Sequence, residues 1–411
     1  MAREQYMRQV ALLVRTLPFI ARHNAFALKG GTAINLFYRD MPRLSVDIDL
    51  TYLPIEDRET TLKNIDAILD HIREDLQRNL RGASVQRIAG GGNNDTRVLV
   101  RLGNAEIKIE TSPVARGTVH PPERRRVSAS VEDKFGFAEM QIVSFEDLFG
   151  GKLHAAVDRQ HPRDLFDVKL LYENEGLTDA LFRTFLIYIA SSGRPPHELV
   201  RPSLASLDEA FVKEFEGMTT EVASIEELKA ARERMTKDLL VRLDSNAMRF
   251  LLSLHDGEPD FDAIGLPQAA ELPAVRWKLL NLEKLRAQNP AKHAEQRREI
   301  EALRIHPAWA AAGLFRPAAM DVDEVEQAFD AVFGEGHGPA LVLRVVDPDQ
   351  PVFRFHVERE ISEPVFVLAE IAGDERQCPD GMDLVDVHRQ AAIAAVDAAR
   401  QFQGRSWSSL P

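Results

Sequence analysis

The chain has 411 residues, 45% of them hydrophobic and 28% charged, with a formal net charge of −13. This length suffices for two or three domains with buried cores, and no apolar run approaches the roughly 20 residues that a membrane span needs. A single cysteine, Cys378, excludes an internal disulfide framework, and the N-terminal segment is amphipathic rather than a signal peptide. We therefore expect a cytoplasmic protein that does not engage a membrane.

The negative charge is concentrated near the C-terminus. Residues 301–411 hold 19 acidic residues and 9 arginines but no lysine, so residues 1–300 are almost neutral. A nearly neutral body can carry a local basic patch, and the net charge therefore does not exclude a nucleic-acid partner.

Hydrophobic periodicity and turn residues predict the elements of the first 303 residues. In chain order they are helices over 1–23 and 33–38, a strand over 45–52, a helix over 60–80, strands over 96–102 and 105–110, an irregular loop over 112–130, helices over 145–157 and 162–172, and mostly helix over 178–303. The composition changes near His306. There the pattern predicts a helix over 322–333, strands over 340–346, 352–358 and 364–371, and a helix over 385–402. We predict an α/β (α+β) chain with a core over 1–177, a helical lobe over 178–303 and an acidic α/β accessory module over 304–411.

Two carboxylates stand two residues apart in the first predicted strand, at Asp47 and Asp49, among apolar residues. Residues i and i+2 of a strand project to the same side, so the two negative charges repel unless a cation lies between them. Mg²⁺ is the economical cation because it takes carboxylate and phosphate oxygens together. Glu110 ends a later strand and could complete a metal-binding set for phosphoryl transfer. Such acid pairs are also common on exposed strands that bind nothing.

A glycine pair, Gly30-Gly31, precedes Thr32 and a short helix upstream of the acids. Such a turn exposes backbone N–H groups and a positive helix end to an anion, and Thr32 adds a hydroxyl. Taken alone, a Gly-Gly pair is more often only a tight turn. Together with Asp-x-Asp on the next strand it forms a more specific constellation.

The sequence from Gly30 to Leu50, with Gly-Gly-Thr followed by RLSVDIDL, resembles the DNA polymerase beta-type nucleotidyltransferase superfamily. More narrowly, it resembles the AbiEii/AbiGii toxin family, which includes the MenT toxins of type IV toxin–antitoxin systems. The superfamily usually has Gly-Ser where this chain has Gly31-Thr32, which keeps the hydroxyl. The resemblance implies a core with a mixed sheet, Mg²⁺ at Asp47, Asp49 and Glu110, and nucleotide contacts from the residues of the turn and its surroundings (Gly30, Gly31, Thr32 and Ser45).

A second segment, EDLFGGKLHAAVDRQHPRDLFDVKLL from Glu146 to Leu171, resembles the downstream motifs of the same toxin family. The resemblance implies that Lys152 contacts the nucleotide triphosphate and that Asp167 is a distal catalytic acid, with Arg163 and Asp164 beside the nucleotide. Asp164 and Asp167 are three residues apart and share a helix face. The alternative interpretation is that Arg163, Asp164 and Asp167 only stabilise a helix start.

The implied reaction is attack of a hydroxyl on the α-phosphate of an NTP, with Asp47, Asp49, Lys152 and Asp167 as the catalytic set. Family members are thought to extend the tRNA acceptor end and block translation, and a cognate antitoxin would be a partner. An arginine-rich loop follows Glu110 and could meet an RNA backbone through Arg116, Arg124, Arg125 and Arg126. A solvated loop that binds nothing explains these arginines equally well.

Two other functions remain open from the sequence. One keeps the fold but transfers an NMP or a phosphate to serine or threonine of a protein. The other is a non-catalytic binding protein, which the intact acids and Lys152 disfavour.

Overall fold

A seven-stranded mixed sheet organises the N-terminal part of the chain. The computed structural model describes residues 2–88, 96–220 and 222–304, together with the backbone of three strands between 342 and 372. Contacts divide the chain into two compact units, Met1–Arg304 and Ile305–Pro411.

The first unit begins with the sheet and its helices. In chain order these are α1 (Ala2–Ile20), β1 (Phe26–Lys29), α2 (Gly30–Ala33) continued by a π-helical turn (Ile34–Tyr38), β2 (Asp47–Tyr52), α3 (Arg58–Asn79), β3 (Ser84–Ile88), β4 (Arg97–Leu102), β5 (Ala105–Thr111), β6 (Glu123–Arg126), α4 (Ala129–Phe135), β7 (Glu139–Ile142), α5 (Phe145–Arg159) and α6 (Pro162–Asn174).

The rest of the first unit is helical. It contains α7 (Asp179–Ala190), α8 (Pro196–Val200), α9 (Asp208–Glu214), α10 (Ile225–Val241), α11 (Ser245–Asp256), two 3₁₀ turns (Asp262–Ile264 and Pro267–Glu271), α12 (Pro273–Gln288), α13 (Pro290–Glu301) and a last 3₁₀ turn (Ala302–Arg304). Among the described residues, no helix has the length and apolar content needed to span a bilayer.

The sheet has the strand order β3-β4-β5-β2-β1-β7-β6. Strand β2 lies at its centre, parallel to β5 and antiparallel to β1, with Asp49 beside Glu110 on one side and Lys29 on the other. Strand β2 therefore brings its acids next to residues from both flanking strands.

The two faces of the central strands differ in environment. Ile48 and Leu50 are fully buried on one face, and α1 and α3 pack against neighbouring strands of the sheet. Asp47 is exposed and Asp49 half-buried on the opposite face, because side chains alternate along a strand. The apolar face holds β2 in the core, and the acidic face carries the candidate catalytic side chains.

Local signals fix the helices that flank the acidic face. Helix α5 begins at Ser144, whose hydroxyl accepts a hydrogen bond from the backbone N–H of Asp147 at 3.0 Å. Helix α6 begins with Pro162 in its first turn, where proline is favoured. Helix α5 ends at Gln160, which has a left-handed backbone with φ 48°, and this sharp end brings α6 back against α5.

The predicted α/β class with a mixed sheet is confirmed, although four strands were missed: β1, β3, β6 and β7. The expectation of an irregular loop over 112–130 was wrong in part, since β6 and the start of α4 lie within it. Strand β6 is four residues long and three of them are arginines, so its sequence lacks a strand pattern. Its hydrogen-bond ladder with β7, in which Arg125 faces Met140, holds these residues in a strand.

The second unit contains an antiparallel sheet in the order β8 (Val342–Val345), β9 (Val352–Arg359) and β10 (Val365–Ala372), with β9 in the middle. These strands confirm the three predicted over 340–346, 352–358 and 364–371. The helices predicted over 322–333 and 385–402 lie outside the described residues.

Candidate active site

The Gly30-Gly31 turn lies directly against the acid pair. Gly30 has a φ of +74°, a region that side-chain-bearing residues rarely adopt, and a Cβ atom there would come within 2.8 Å of Asp49 Oδ2. At Gly31 a Cβ atom would lie 2.5 Å from Arg43 Nη2 and 2.9 Å from Ser45 Oγ. Both glycines are therefore required by close approach, and the turn forms one wall of the site.

Asp47 and Asp49 project together from β2, as predicted. Burial raises the pKa of Asp49; Lys29 opposes this rise, while the neighbouring charges of Asp47 and Glu110 add to it. Burial and the neighbouring carboxylates thus disfavour the ionised form of Asp49, and a bound cation would favour it.

Lys29 is a site residue that the sequence did not single out. It ends β1 next to Asp49 in the strand register. Burial lowers the pKa of Lys29, and the negative charges of Asp49 and Glu110 offset that effect only in part. The signal in the sequence that could have identified Lys29 is its position just before the glycine turn.

Glu110 is beside Asp49 in the register, but its carboxylate is already paired. Arg97 Nη2 lies 2.6 Å and Lys108 Nζ 2.8 Å from its oxygens. Burial tends to raise the pKa of Glu110, but hydrogen bonds from Lys108 and Arg97 outweigh it and the pKa is lowered. Within the described residues no three His, Cys, Asp or Glu side chains form a ready metal cluster, so the predicted trio of Asp47, Asp49 and Glu110 is not assembled as one.

Mg²⁺ still fits the two acids of β2. It is commonly held by one or two carboxylates plus substrate phosphates and waters, and Asp47 and Asp49 supply that number of carboxylates. The donor set is the structural observation that favours a cation there, because Asp47 and Asp49 share one face of β2 and Glu110 lies beside Asp49 in the strand register.

A buried ion-pair network lies behind the glycine turn. Asp167 is 0% exposed and accepts hydrogen bonds from Arg43 Nε at 2.7 Å and Nη2 at 2.6 Å. Lys152, 6% exposed, places its Nζ 2.9 Å from both Asp167 Oδ2 and Asp164 Oδ1. Lys152, Asp164 and Asp167, which the sequence predicted as site residues, do come together, and Arg43 joins them.

Arg159 ends the network at the protein surface. Its Nε lies 2.5 Å from Asp164 Oδ2 and its Nη2 lies 2.9 Å from Asp164 Oδ1, yet its side chain is 64% exposed. Arg163, which the sequence did single out, is directed instead toward Glu214, with 3.6 Å between Nη2 and Oε2. Both arginines occur in the same short segment, and only the folded structure distinguishes them.

Thr32 and Ser45 are placed beside the turn but are engaged with protein groups. The Thr32 hydroxyl donates to the Asp47 carbonyl oxygen at 2.5 Å and lies 3.1 Å from Ser45 Oγ. Thr32 is buried, so it holds the start of β2 in position. A phosphate bound here would contact the backbone of the turn, and not the Thr32 hydroxyl as predicted.

The four predicted RNA-contacting arginines lie in three different environments. Arg116 is buried and donates to the carbonyl oxygens of Pro113 at 2.6 Å and Glu56 at 2.8 Å, so it holds its own loop and does not face solvent. Arg125 stacks 4.0 Å above the Tyr38 ring. Arg124 and Arg126 are exposed beside Glu139.

The arrangement combines an acid pair, a glycine turn with a positive backbone end, and a network that holds three cations against two carboxylates. Such a site can bind a triphosphate and place a metal ion at the acids. These are the requirements of phosphoryl or nucleotidyl transfer.

One solved structure and one family profile are similar to this chain. A solved structure, MenT4, nucleotidyltransferase toxin Rv2826c from Mycobacterium tuberculosis H37Rv, is similar at 16% identity with a TM-score of 0.48, covering 68% of this chain and 93% of that one. No curated protein sequence matches the chain. The family profile for the nucleotidyl transferase AbiEii toxin, type IV toxin–antitoxin system, matches residues 11–279, which is more than half of the sequence. The chain belongs to the AbiEii family of nucleotidyltransferase toxins of type IV toxin–antitoxin systems.

Proposed function

We propose that this nucleotidyltransferase transfers an NMP from an NTP to a hydroxyl of RNA, at the 3′ end of tRNA, in a Mg²⁺-dependent reaction that blocks translation. The observation that carries the proposal is the close approach of the Gly30-Gly31 turn to Asp49, because the backbone N–H groups of such a turn can bind an anion next to the acid pair. A triphosphate in this position would have its α-phosphate next to the acids.

The reaction is an in-line displacement. The acceptor oxygen forms a bond to the α-phosphorus, the bond between the α-phosphorus and its bridging oxygen breaks, pyrophosphate leaves, and the hydroxyl proton passes to water. Mg²⁺ held by Asp47 and Asp49 would supply positive charge to the phosphates and to the leaving pyrophosphate. The turn supplies N–H donors, and the buried network fixes the position of the turn through Arg43.

Two features support an RNA acceptor. Arg124 and Arg126 are exposed on β6, an edge strand of the same sheet, where guanidinium groups can reach phosphates. The choice of tRNA comes from the likeness to the toxin family, and membership in a type IV system implies an antitoxin as a further partner.

The experiment supplies each of the four NTPs, labelled at the α- or the γ-phosphate, to the protein with Mg²⁺ and three acceptors. These acceptors are intact tRNA, tRNA whose 3′ end has been oxidised with periodate, and a protein extract. We expect α-label, and no γ-label, in intact tRNA, and none in oxidised tRNA.

The control is Asp47→Asn, which should fold like the wild type, because the charge it removes is exposed, and should transfer no label. Label in the protein extract instead of tRNA would move the function to protein modification. Transfer of γ-label would replace nucleotidyl transfer by phosphorylation. Full activity in EDTA would refute the Mg²⁺ requirement.

A further inference from the structure

We propose that Arg159, rather than Lys152, is the side chain that contacts the triphosphate of the bound nucleotide, and that Lys152 is a positioning residue. This inference rests on the proposed nucleotidyl transfer and names the cation that the substrate meets. It starts from the different surroundings of the two cations in the buried network.

Lys152 is not free to bind a phosphate. Its Nζ already lies 2.9 Å from one oxygen of Asp164 and 2.9 Å from one oxygen of Asp167. Both aspartates are buried. Withdrawing the ammonium group toward a ligand would weaken the pairing of two buried carboxylates at once, which is strongly unfavourable.

Arg159 has the opposite character. Its Nε and Nη2 atoms are committed to Asp164, and its Nη1 atom donates to no group in the part of the chain that the structure describes. The side chain is 64% exposed although the carboxylate it holds is buried. Its guanidinium is thus fixed on one edge and open to solvent on the other, a geometry suited to phosphate oxygens.

The balance of charge agrees. The network contains three cations, Arg43, Lys152 and Arg159, against two carboxylates, Asp164 and Asp167. Two of the cations are buried, and the third is at the surface. Among these direct ion pairs there is one more cation than there are carboxylates, and Arg159 is the cation at the surface, where an anionic ligand could approach it. Asp49 and Asp158 add a weaker attraction from nearby.

Contacts connect Arg159 to the acid pair. Asp49 touches the Gly30 position, and Arg43 touches the Gly31 position next to it. Arg43 binds Asp167, Asp167 binds Lys152, and Lys152 binds Asp164 and so reaches Arg159. Asp49 is also near enough for its negative charge to help raise the pKa of Arg159. This arrangement would let an NTP whose α-phosphate lies at the acids extend its β- and γ-phosphates toward Arg159.

Arg163 does not compete for this role. Its guanidinium is directed to Glu214 on α9, which also lies 3.0 Å from His161 Nε2. It is therefore directed toward α9 and away from the buried network.

The test measures binding by calorimetry, with inorganic tripolyphosphate in the presence of Mg²⁺ as the probe. Arg159→Gln should weaken this binding at least tenfold, and Arg159→Lys, which keeps the charge but not the planar fork, should give an intermediate loss. In steady-state assays Arg159→Gln should raise KM for the NTP more than it lowers kcat. Affinity for inorganic monophosphate should change little, because the lost contact is with the distal phosphates.

The matched control is Arg297→Gln. Arg297 holds Asp256 through the same two atoms, Nε and Nη2, at 2.8 and 3.1 Å, but it lies on α13 outside the network. This variant should bind tripolyphosphate like the wild type.

A second comparison separates contact from positioning. Lys152→Met should lower the melting temperature more than Arg159→Gln does, because it takes a cation from two buried carboxylates, whereas Arg159→Gln takes one from Asp164 alone and leaves Lys152 paired with it. If a folded Arg159→Gln protein binds tripolyphosphate normally, and a folded Lys152→Met protein does not, the inference is overturned. If Arg159→Gln does not fold, normal tripolyphosphate binding by Arg159→Lys overturns it, and an intermediate loss supports it.

The inference and the proposed function fail differently. If the wild type transfers nucleotides and Arg159→Gln keeps its KM, only the role of Arg159 is wrong. If the wild type binds no tripolyphosphate and transfers nothing, the proposed function itself is wrong.

Discussion

Replacing Asp167 by alanine should both destabilise the protein and remove activity. Asp167 is fully buried and accepts three short charged contacts, two from Arg43 and one from Lys152. The alanine variant leaves Arg43 buried without a carboxylate and leaves Lys152 with Asp164 alone. Activity should fall because Arg43, which lies against the Gly31 position, loses the group that holds it.

The magnitude follows from the burial of the ion pair. Breaking a buried pair by removing one partner costs about 3–5 kcal/mol of unfolding free energy. At about 2 °C per kcal/mol for a unit of this size, the melting temperature should fall by roughly 6–10 °C. Rate should fall at least tenfold, which corresponds to about 1.4 kcal/mol of transition-state stabilisation.

The pH dependence supplies an independent check. Burial by itself raises the pKa of Asp167, but attraction from Arg43 and Lys152 is greater and the pKa is lowered. A lowered pKa in the folded state gives stabilisation that is complete above the unfolded value of about 3.9 and is lost as pH falls through the folded value. The stability difference between wild type and Asp167→Ala should therefore stay constant from pH 8 to pH 5.

The assay is chemical denaturation with a parallel activity measurement, and Asp47→Ala serves as the contrast because its carboxylate is exposed. Asp47→Ala should lose activity without losing stability. The double variant Arg43→Met/Asp167→Leu should regain most of the stability, because no unpaired charge remains. If Asp167→Ala has the same melting temperature as the wild type, the buried network does not hold the site and the reasoning is refuted.

The remaining predictions concern other parts of the first unit. Asp49→Ala should abolish nucleotidyl transfer with little change in melting temperature, measured on the same sample, since the relief of repulsion within the acid pair is offset by the loss of the carboxylate beside Lys29. Transfer at the wild-type rate would exclude Asp49 as a metal ligand. Arg116→Ala should lower the melting temperature and leave RNA affinity unchanged, as judged by gel shift; a specific loss of RNA binding by a stable variant would contradict the structural role of Arg116. His255 is buried in a stack with His293, with ring centroids 4.2 Å apart. Burial lowers the pKa of His255, so the free energy of unfolding should fall as pH drops below the unfolded value of about 6.5 and through the folded one. Denaturation from pH 7.5 to 5 should show this slope and His255→Gln should reduce it, whereas identical slopes would exclude His255 as the source.

The sequence alone determined the most local features of the site. Alternation along a strand put Asp47 and Asp49 on one face, because the period of a strand is fixed by its backbone. The glycine pair before Thr32 predicted a turn that only small residues permit, and the structure shows both the positive φ and the close approach. Ser144 and Pro162 marked the starts of α5 and α6 through interactions within a few residues.

Strands without an internal pattern needed the tertiary structure. Strand β6 consists of Glu123 and three arginines, which do not favour a strand by themselves. Its pairing with β7 is what holds these residues in an extended conformation. Strand β1 is only four residues long, and it is defined by its neighbours β2 and β7. Short strands gain their stability from partners that are distant in sequence, so their own residues carry little signal.

The role of each charged residue was also decided by the tertiary structure. Arg43 and Asp167 are 124 positions apart in sequence, yet they form a buried pair with two short hydrogen bonds. Arg159 and Arg163 are four positions apart, yet one borders the network and the other is directed to Glu214. A sequence shows which residues carry charge. The fold decides whether a cation is paired with a buried carboxylate or remains available to a ligand. The reason is that burial and pairing determine the free energy of the charged side chain.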